Sequence, residues 1–126
     1  TLEQAGARAA GARGHHEAGG DLIAPYVPER VAFLLRAHVD AKRYLCATDA
    51  AYYDSLSPAS KRTLTLQGGV MEAEEARRVE RHPWWADAVR LRRWDDEAKV
   101  VGKKTRPLSA WKPLLEKYFS AARAAR

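Results

Sequence analysis

The sequence predicts an all-α domain, and three observations carry that prediction. Its composition leans to Ala, Leu, Arg and Glu, which favour helices, with few β-branched runs. Its apolar residues recur at steps of three, four and seven instead of alternating. Proline and glycine fall between these periodic stretches, where helices start and stop. At 126 residues the chain can bury one core and has no room for a second.

Residues 1–14, TLEQAGARAAGARG, carry three glycines and few large apolar side chains, so a linker or frayed lead-in is expected there. The helical domain is expected over 15–126. A short helix from His15 to Ala24 is stopped by Pro25. Pro28 suits a first helical turn, and one long helix is predicted from there to Leu45. Its inward stripe is Val31, Leu34, Leu35, His38, Lys42 and Leu45, with Arg36, Asp40 and Arg43 facing away. Asp49 is placed to cap a short helix over AAYYDSL. Ser57 before Pro58 is an N-cap signature for PASKRTLTLQ, which Gly68 and Gly69 end. Residues 72–81 form a charged helix, and another begins at about Trp84, with His82 leading into it before Pro83. The last helix, 108–123, shows Leu108, Trp111, Leu115, Tyr118 and Phe119 on one side.

The net charge of +6 and a pI near 9.7 favour an anionic partner. The cations are interleaved with acids such as Glu72, Glu74, Glu75 and Glu80, and no recognition motif accompanies them. The expected partner is therefore a small anion and not nucleic acid. A single cysteine, Cys46, excludes an internal disulfide and fits a reducing compartment. No apolar run approaches the ~18 residues of a membrane span, and no signal-like stretch opens the chain. A cytoplasmic protein is expected. The sequence starts at Thr1 and not at methionine, so further residues are expected before it.

Two helices point groups inward that a purely packing helix would not place there. One helix points His38 and Lys42 to the leucine side. The other has the stripe Trp84, Ala88, Leu91, Asp95 and Ala98, while Asp96 is expected to see solvent. A buried carboxylate must be paired, hydrogen-bonded or metal-bound. His38 and Asp95, with His16 as a third candidate, form a nitrogen and oxygen donor set that suits first-row metals, Fe(II) included. Thiolate sites are excluded, since Cys46 and Met71 are the only sulfur residues. No HExxH, GxxxxGK[ST] or GxGxxG motif occurs, and no serine or cysteine has a recognisable base. Plain structural readings stand beside these: a satisfied core histidine, Asp95 paired with Lys42 or Arg92, and Lys42 reaching past the core to water.

The segments HHEAGG, HVDAKRYLCATD, LSPASKRTLTLQGG and LRRWDDEAK together resemble the HD-domain oxygenases of organophosphonate catabolism, the PhnZ-like relatives of myo-inositol oxygenase. The resemblance runs from about His15 to the end of the last helix. It implies an HD-domain-like helical bundle, incomplete at its N-terminus, that uses two irons and O2 to split the C–P bond of a small 1-hydroxyphosphonate and release phosphate. By position it makes His16, His38 and Asp95 metal ligands. Lys42 becomes the catalytic cation that contacts the substrate phosphonate, helped by hydroxyls around Ser60 and Thr63. The adjacent His-Asp pair of that family is missing, because no such dipeptide occurs in residues 1–126. The chain thus resembles the C-terminal half or two-thirds of such an enzyme, with partial or substituted iron occupancy and a tendency to form homo-oligomers expected. The other readings are a metal-dependent phosphohydrolase of the wider HD group and an inactive helical fragment.

Overall fold

The computed structural model describes residues 16–99, 102 and 104–124, and among these no strand occurs. The expected lead-in at 1–14, together with His15, lies outside the described residues. Helix α1 covers residues 16–23 and runs into a 3-10 turn, Ala24–Tyr26, with Pro25 at its start. Then follow α2 (Glu29–Arg36), α3 (His38–Thr48), α4 (Ala50–Ser55), α5 (Pro58–Leu66), α6 (Ala73–Glu80) and α7 (Trp85–Ala98). A second 3-10 turn, Leu108–Trp111, leads into α8 (Lys112–Ala124).

The local start and stop signals are used as the sequence indicates. Asp49 caps α4 by accepting from the Tyr52 N–H, and Ser57 caps α5 by accepting from the Ser60 N–H. Gly68 and Gly69 take φ of 107° and 72°, a region that disfavours any side chain, and reverse the chain after α5. One boundary differs. The long helix expected over 28–45 is two helices that meet at Ala37 (φ −79°, ψ −4°). Its N–H still reaches Phe33 O at 2.9 Å, and its carbonyl accepts from Ala41 N–H at 2.8 Å. Neither proline nor glycine marks this break, so periodicity alone reads straight through it.

Helix α3 is the centre of the fold and packs along α7, with α2 and α4 beside it. Ala41 and Ala88 are both 0% exposed, and small side chains at these positions let α3 and α7 approach closely. One apolar cluster joins Ala37, Ala41, Met71, Ala76, Trp85 and Ala88; the other joins Leu45, Cys46, Tyr52, Leu56 and Leu64. On α3, Lys42 falls between Ala41 of the first cluster and Leu45 of the second. Gly20 lets α1 lie against α2, because a Cβ there would stand 2.6 Å from Arg36 Cγ and 3.3 Å from Ala32 O. Arg36 Nε then bonds Asp21 Oδ1 at 2.8 Å.

One expectation is corrected. Arg43 does not face away: it is buried and bonds both oxygens of Glu75 (2.8 and 2.9 Å), Asp40 (3.0 Å) and Gly69 O (2.9 Å). A guanidinium with that many acceptors occupies a buried position that an apolar pattern cannot reveal. The apolar side of the last helix is present, but Leu108, Trp111, Leu115, Tyr118 and Phe119 all remain exposed. Helix α8 touches chiefly the two 3-10 turns. Among the described residues, no helix is long and apolar enough to cross a membrane.

Candidate functional site

Helix α3 presents His38 and Lys42 one turn apart, about 5–6 Å along the same face. Three elements close on them: α1 from the side of His16, α5 from the side of Ser60 and Thr63, and the last turns of α7.

His38 Nε2 lies 3.3 Å from Asp95 Oδ2, and the His16 ring centre is 5.1 Å from that of His38. His16 and Asp95, from two other helices, thus each stand beside His38. Metal–nitrogen and metal–oxygen bonds are near 2.1 Å, so two ligands of one ion stand about 3.0–3.4 Å apart. The His38–Asp95 separation matches that spacing as well as it matches a direct contact. Among the described residues, however, no group of three His, Cys, Asp or Glu side chains is arranged to hold a metal. Burial lowers the pKa of His38, and the Arg92 charge adds to this against the opposing pull of Asp95. A neutral imidazole is the form that binds metals. Burial pushes the Asp95 carboxyl up, but Lys99, then His38 and Arg92, outweigh it and hold the group below its usual range.

The second cluster is centred on Lys42, which is only 2% exposed. Its Nζ donates to Ser60 O at 2.8 Å, Thr63 Oγ1 at 3.0 Å and Gln67 Oε1 at 3.0 Å. Ser60 thus meets Lys42 through its carbonyl and not its hydroxyl. Three neutral acceptors satisfy the ammonium's donors and leave its charge without a bonded carboxylate. Burial, reinforced by the nearby Arg92 charge, lowers its pKa. Gln67 was not singled out in the sequence. Its spacing could have shown it, since 60, 63 and 67 share one face of α5.

Arg92, weighed in the sequence only as a partner for Asp95, has a different role. It is buried, with Nε 3.1 Å from Asp96 Oδ2, Nη2 3.1 Å from Asp96 Oδ1 and Nε 3.3 Å from Tyr52 Oη. The Tyr52 hydroxyl donates to Asp96 Oδ2 at 2.5 Å. The expectation that Asp96 sees solvent is therefore corrected, for its side chain is 24% exposed against 40% for Asp95. The physical reason is that α7 buries Trp85, Ala88 and Arg92, a line that continues to Asp96. The apolar stripe through Trp84 and Leu91 lies to one side of it. Asp95 pairs neither with Lys42 nor with Arg92 but with Lys99, at 2.9 Å.

A cleft of about 620 Å3 adjoins this assembly, with Tyr52, Ser55, Ser57, Ser60, Arg93, Asp96 and Lys99 in its wall. Two buried cations, Lys42 and Arg92, thus stand near it, and among the described residues Asp96 is the one carboxylate bonded to either. That imbalance suits a small anion. His82 stands apart: it stacks on Phe33 with ring centres 3.9 Å apart and accepts from the Trp84 N–H, as a helix-leading residue does. Cys46 is a buried free thiol.

No protein-family model matches the chain. Individual relatives do. Hydroxymethylphosphonate dioxygenase of Gimesia maris is 43% identical over 97 residues, which is 77% of this chain and 48% of the relative. The chain is similar to phosphonate dioxygenases over most of its own length. A second member, the glycine-betaine-forming [1-hydroxy-2-(trimethylamino)ethyl]phosphonate dioxygenase of Leisingera caerulea, is 36% identical over 105 residues, 83% of this chain and 54% of the relative. An uncharacterized protein of Acanthamoeba polyphaga mimivirus is 36% identical over 90 residues, 71% of this chain and 41% of its own length. The chain spans about half the length of these phosphonate dioxygenases.

Proposed function

We propose that this chain forms the phosphonate-binding part of an iron-dependent oxygenase. The enzyme uses O2 to cleave the C–P bond of a small 1-hydroxyphosphonate and releases phosphate. The observation that carries the reading is the buried Lys42 ammonium, which bonds three neutral acceptors and stands one turn from the His38–Asp95 pair.

Each residue has a task on this reading. Lys42 binds the phosphonate, with Thr63 and Gln67 turning aside to release its N–H groups and Arg92 supplying a second positive charge. His38 and Asp95 hold the metal, with His16 as a third donor; imidazole and carboxylate suit iron, and zinc as a substitute. Bound iron would supply the activation of O2. The remaining donors for a two-iron centre come from polypeptide other than residues 16–124, since no His-Asp pair occurs in this sequence. The balance is simple: hydroxymethylphosphonate plus O2 gives formate and phosphate, and O2 takes four electrons. The name of the Leisingera caerulea relative describes an analogous outcome for that protein, whose organic product is glycine betaine.

The test is phosphate release from hydroxymethylphosphonate by the iron-loaded protein, in air and with O2 excluded. The reading requires one O2 consumed per phosphate and no release without O2. Release that persists without O2 would assign the protein to hydrolysis.

A further inference from the structure

Two adjacent carboxylates near the end of α7 share one ammonium. Lys99 Nζ stands 2.9 Å from Asp95 Oδ2 and 3.3 Å from Asp96 Oδ1. Asp95 Oδ2 is also the oxygen that faces His38 Nε2 at 3.3 Å. One carboxylate oxygen therefore meets a cation on one side and a candidate metal ligand on the other. A divalent ion bonded to that oxygen would meet the ammonium at close range, where like charges repel strongly.

The position of Lys99 suits a cation that can leave. It is the residue that caps α7, its backbone N–H still bonded to Asp96 O, and its side chain is 58% exposed. Its four-carbon stem can swing into water without breaking a buried contact. Arg92, by contrast, is buried and fixed to Asp96 by two bonds, so it cannot yield in the same way.

We propose that Lys99 is the placeholder cation of the metal site: it neutralises Asp95 while no metal is bound and must leave Asp95 Oδ2 when a divalent ion enters. Metal binding and the Lys99–Asp95 pair are then mutually exclusive. This rests on the reading of His38 and Asp95 as metal ligands, and it adds a competitor that sets how readily they are filled.

Zinc binding to the metal-free protein, measured by calorimetry at fixed ionic strength, tests it without reference to activity. Lys99→Met should bind zinc about three- to fivefold more tightly, the scale of a half-exposed ion pair. Lys99→Arg, which keeps the charge, should stay within about twofold of the unaltered protein. Arg93→Met removes a neighbouring charge that pairs with Asp49 and not Asp95, so it should change the affinity by less than about twofold. Asp95→Asn should abolish the site. Equal zinc affinity in Lys99→Met and the unaltered protein, with binding still lost in Asp95→Asn, would overturn the placeholder alone. So would an equal gain from Arg93→Met, which would reduce the effect to general electrostatics. Failure of the unaltered protein to bind zinc, or undiminished binding in Asp95→Asn, would overturn both the placeholder and the metal reading beneath it.

Discussion

At the scale of single residues, the Arg92–Asp96–Tyr52 group is the structural counterpart of the site. Burial pushes the Asp96 carboxyl up, but Arg92, then Tyr52, outweigh it and keep the group below its usual range. The sign follows from the direction of that shift: the folded pKa lies below the unfolded value of about 3.9. The stability it contributes is therefore complete above that value and is lost as the pH falls through the folded one. Arg92→Met should cost about 2–3 kcal/mol at pH 7, since it strips a partly buried carboxylate of its partner. Urea unfolding at pH 7 and near pH 3 should show the cost shrinking in acid, and Asp96→Asn should flatten the same dependence. A cost that is the same at both pH values would mean that Arg92 acts by packing alone. This group was poorly legible in the sequence. Arg92, Asp95 and Asp96 were all visible as polar residues, but an apolar stripe cannot tell which of two adjacent acids has the buried partner.

At the scale of elements, the site depends on two local features. Ser57 fixes the start of α5, the helix that carries Ser60, Thr63 and Gln67 to Lys42. Ser57→Ala should cost about 1 kcal/mol in unfolding experiments and weaken phosphate binding with it. The close approach of α3 and α7 through Ala41 and Ala88 sets the distance from His38 to Asp95. Ala88→Leu should destabilise by about 1–3 kcal/mol and lower zinc affinity more than it lowers phosphate affinity, because Lys42's bonded partners lie on α5 and its C-cap and only Arg92 of the anion-binding groups lies on α7. Equal losses of both would show that the two clusters are not separately supported. The caps at Asp49 and Ser57 and the stop at Gly68–Gly69 were legible because each is a local rule with a fixed residue signature. The break at Ala37 and the burial of Arg43 were not. The first lacks any helix-breaking residue, and the second depends on Glu75, 32 residues away in sequence.

At the scale of the whole molecule, the core is gathered around α3 and α7, while α8 stands at its margin. Leu45, 1% exposed, should cost about 2–5 kcal/mol when changed to Ala. Leu114, 58% exposed, should cost within about 0.5 kcal/mol. Thermal unfolding of the two variants measures this; a large loss from Leu114→Ala would mean that the α8 face is covered in solution. The all-α class was legible from composition and spacing. The distribution of burial was not, since an amphipathic pattern shows which side of a helix is apolar and not whether another element meets it.

The central claim divides the α3 face into an anion-binding turn and a metal-binding turn. Phosphate affinity and bound metal, measured side by side on Lys42→Ala and His38→Ala, test it most directly. Lys42→Ala should lose about ten- to a hundredfold in phosphate affinity, the scale of a charge-assisted hydrogen bond, and keep its metal. His38→Ala should lose its metal and bind phosphate nearly as before. Equal loss of metal in both variants, with phosphate affinity unchanged in each, would contradict the account.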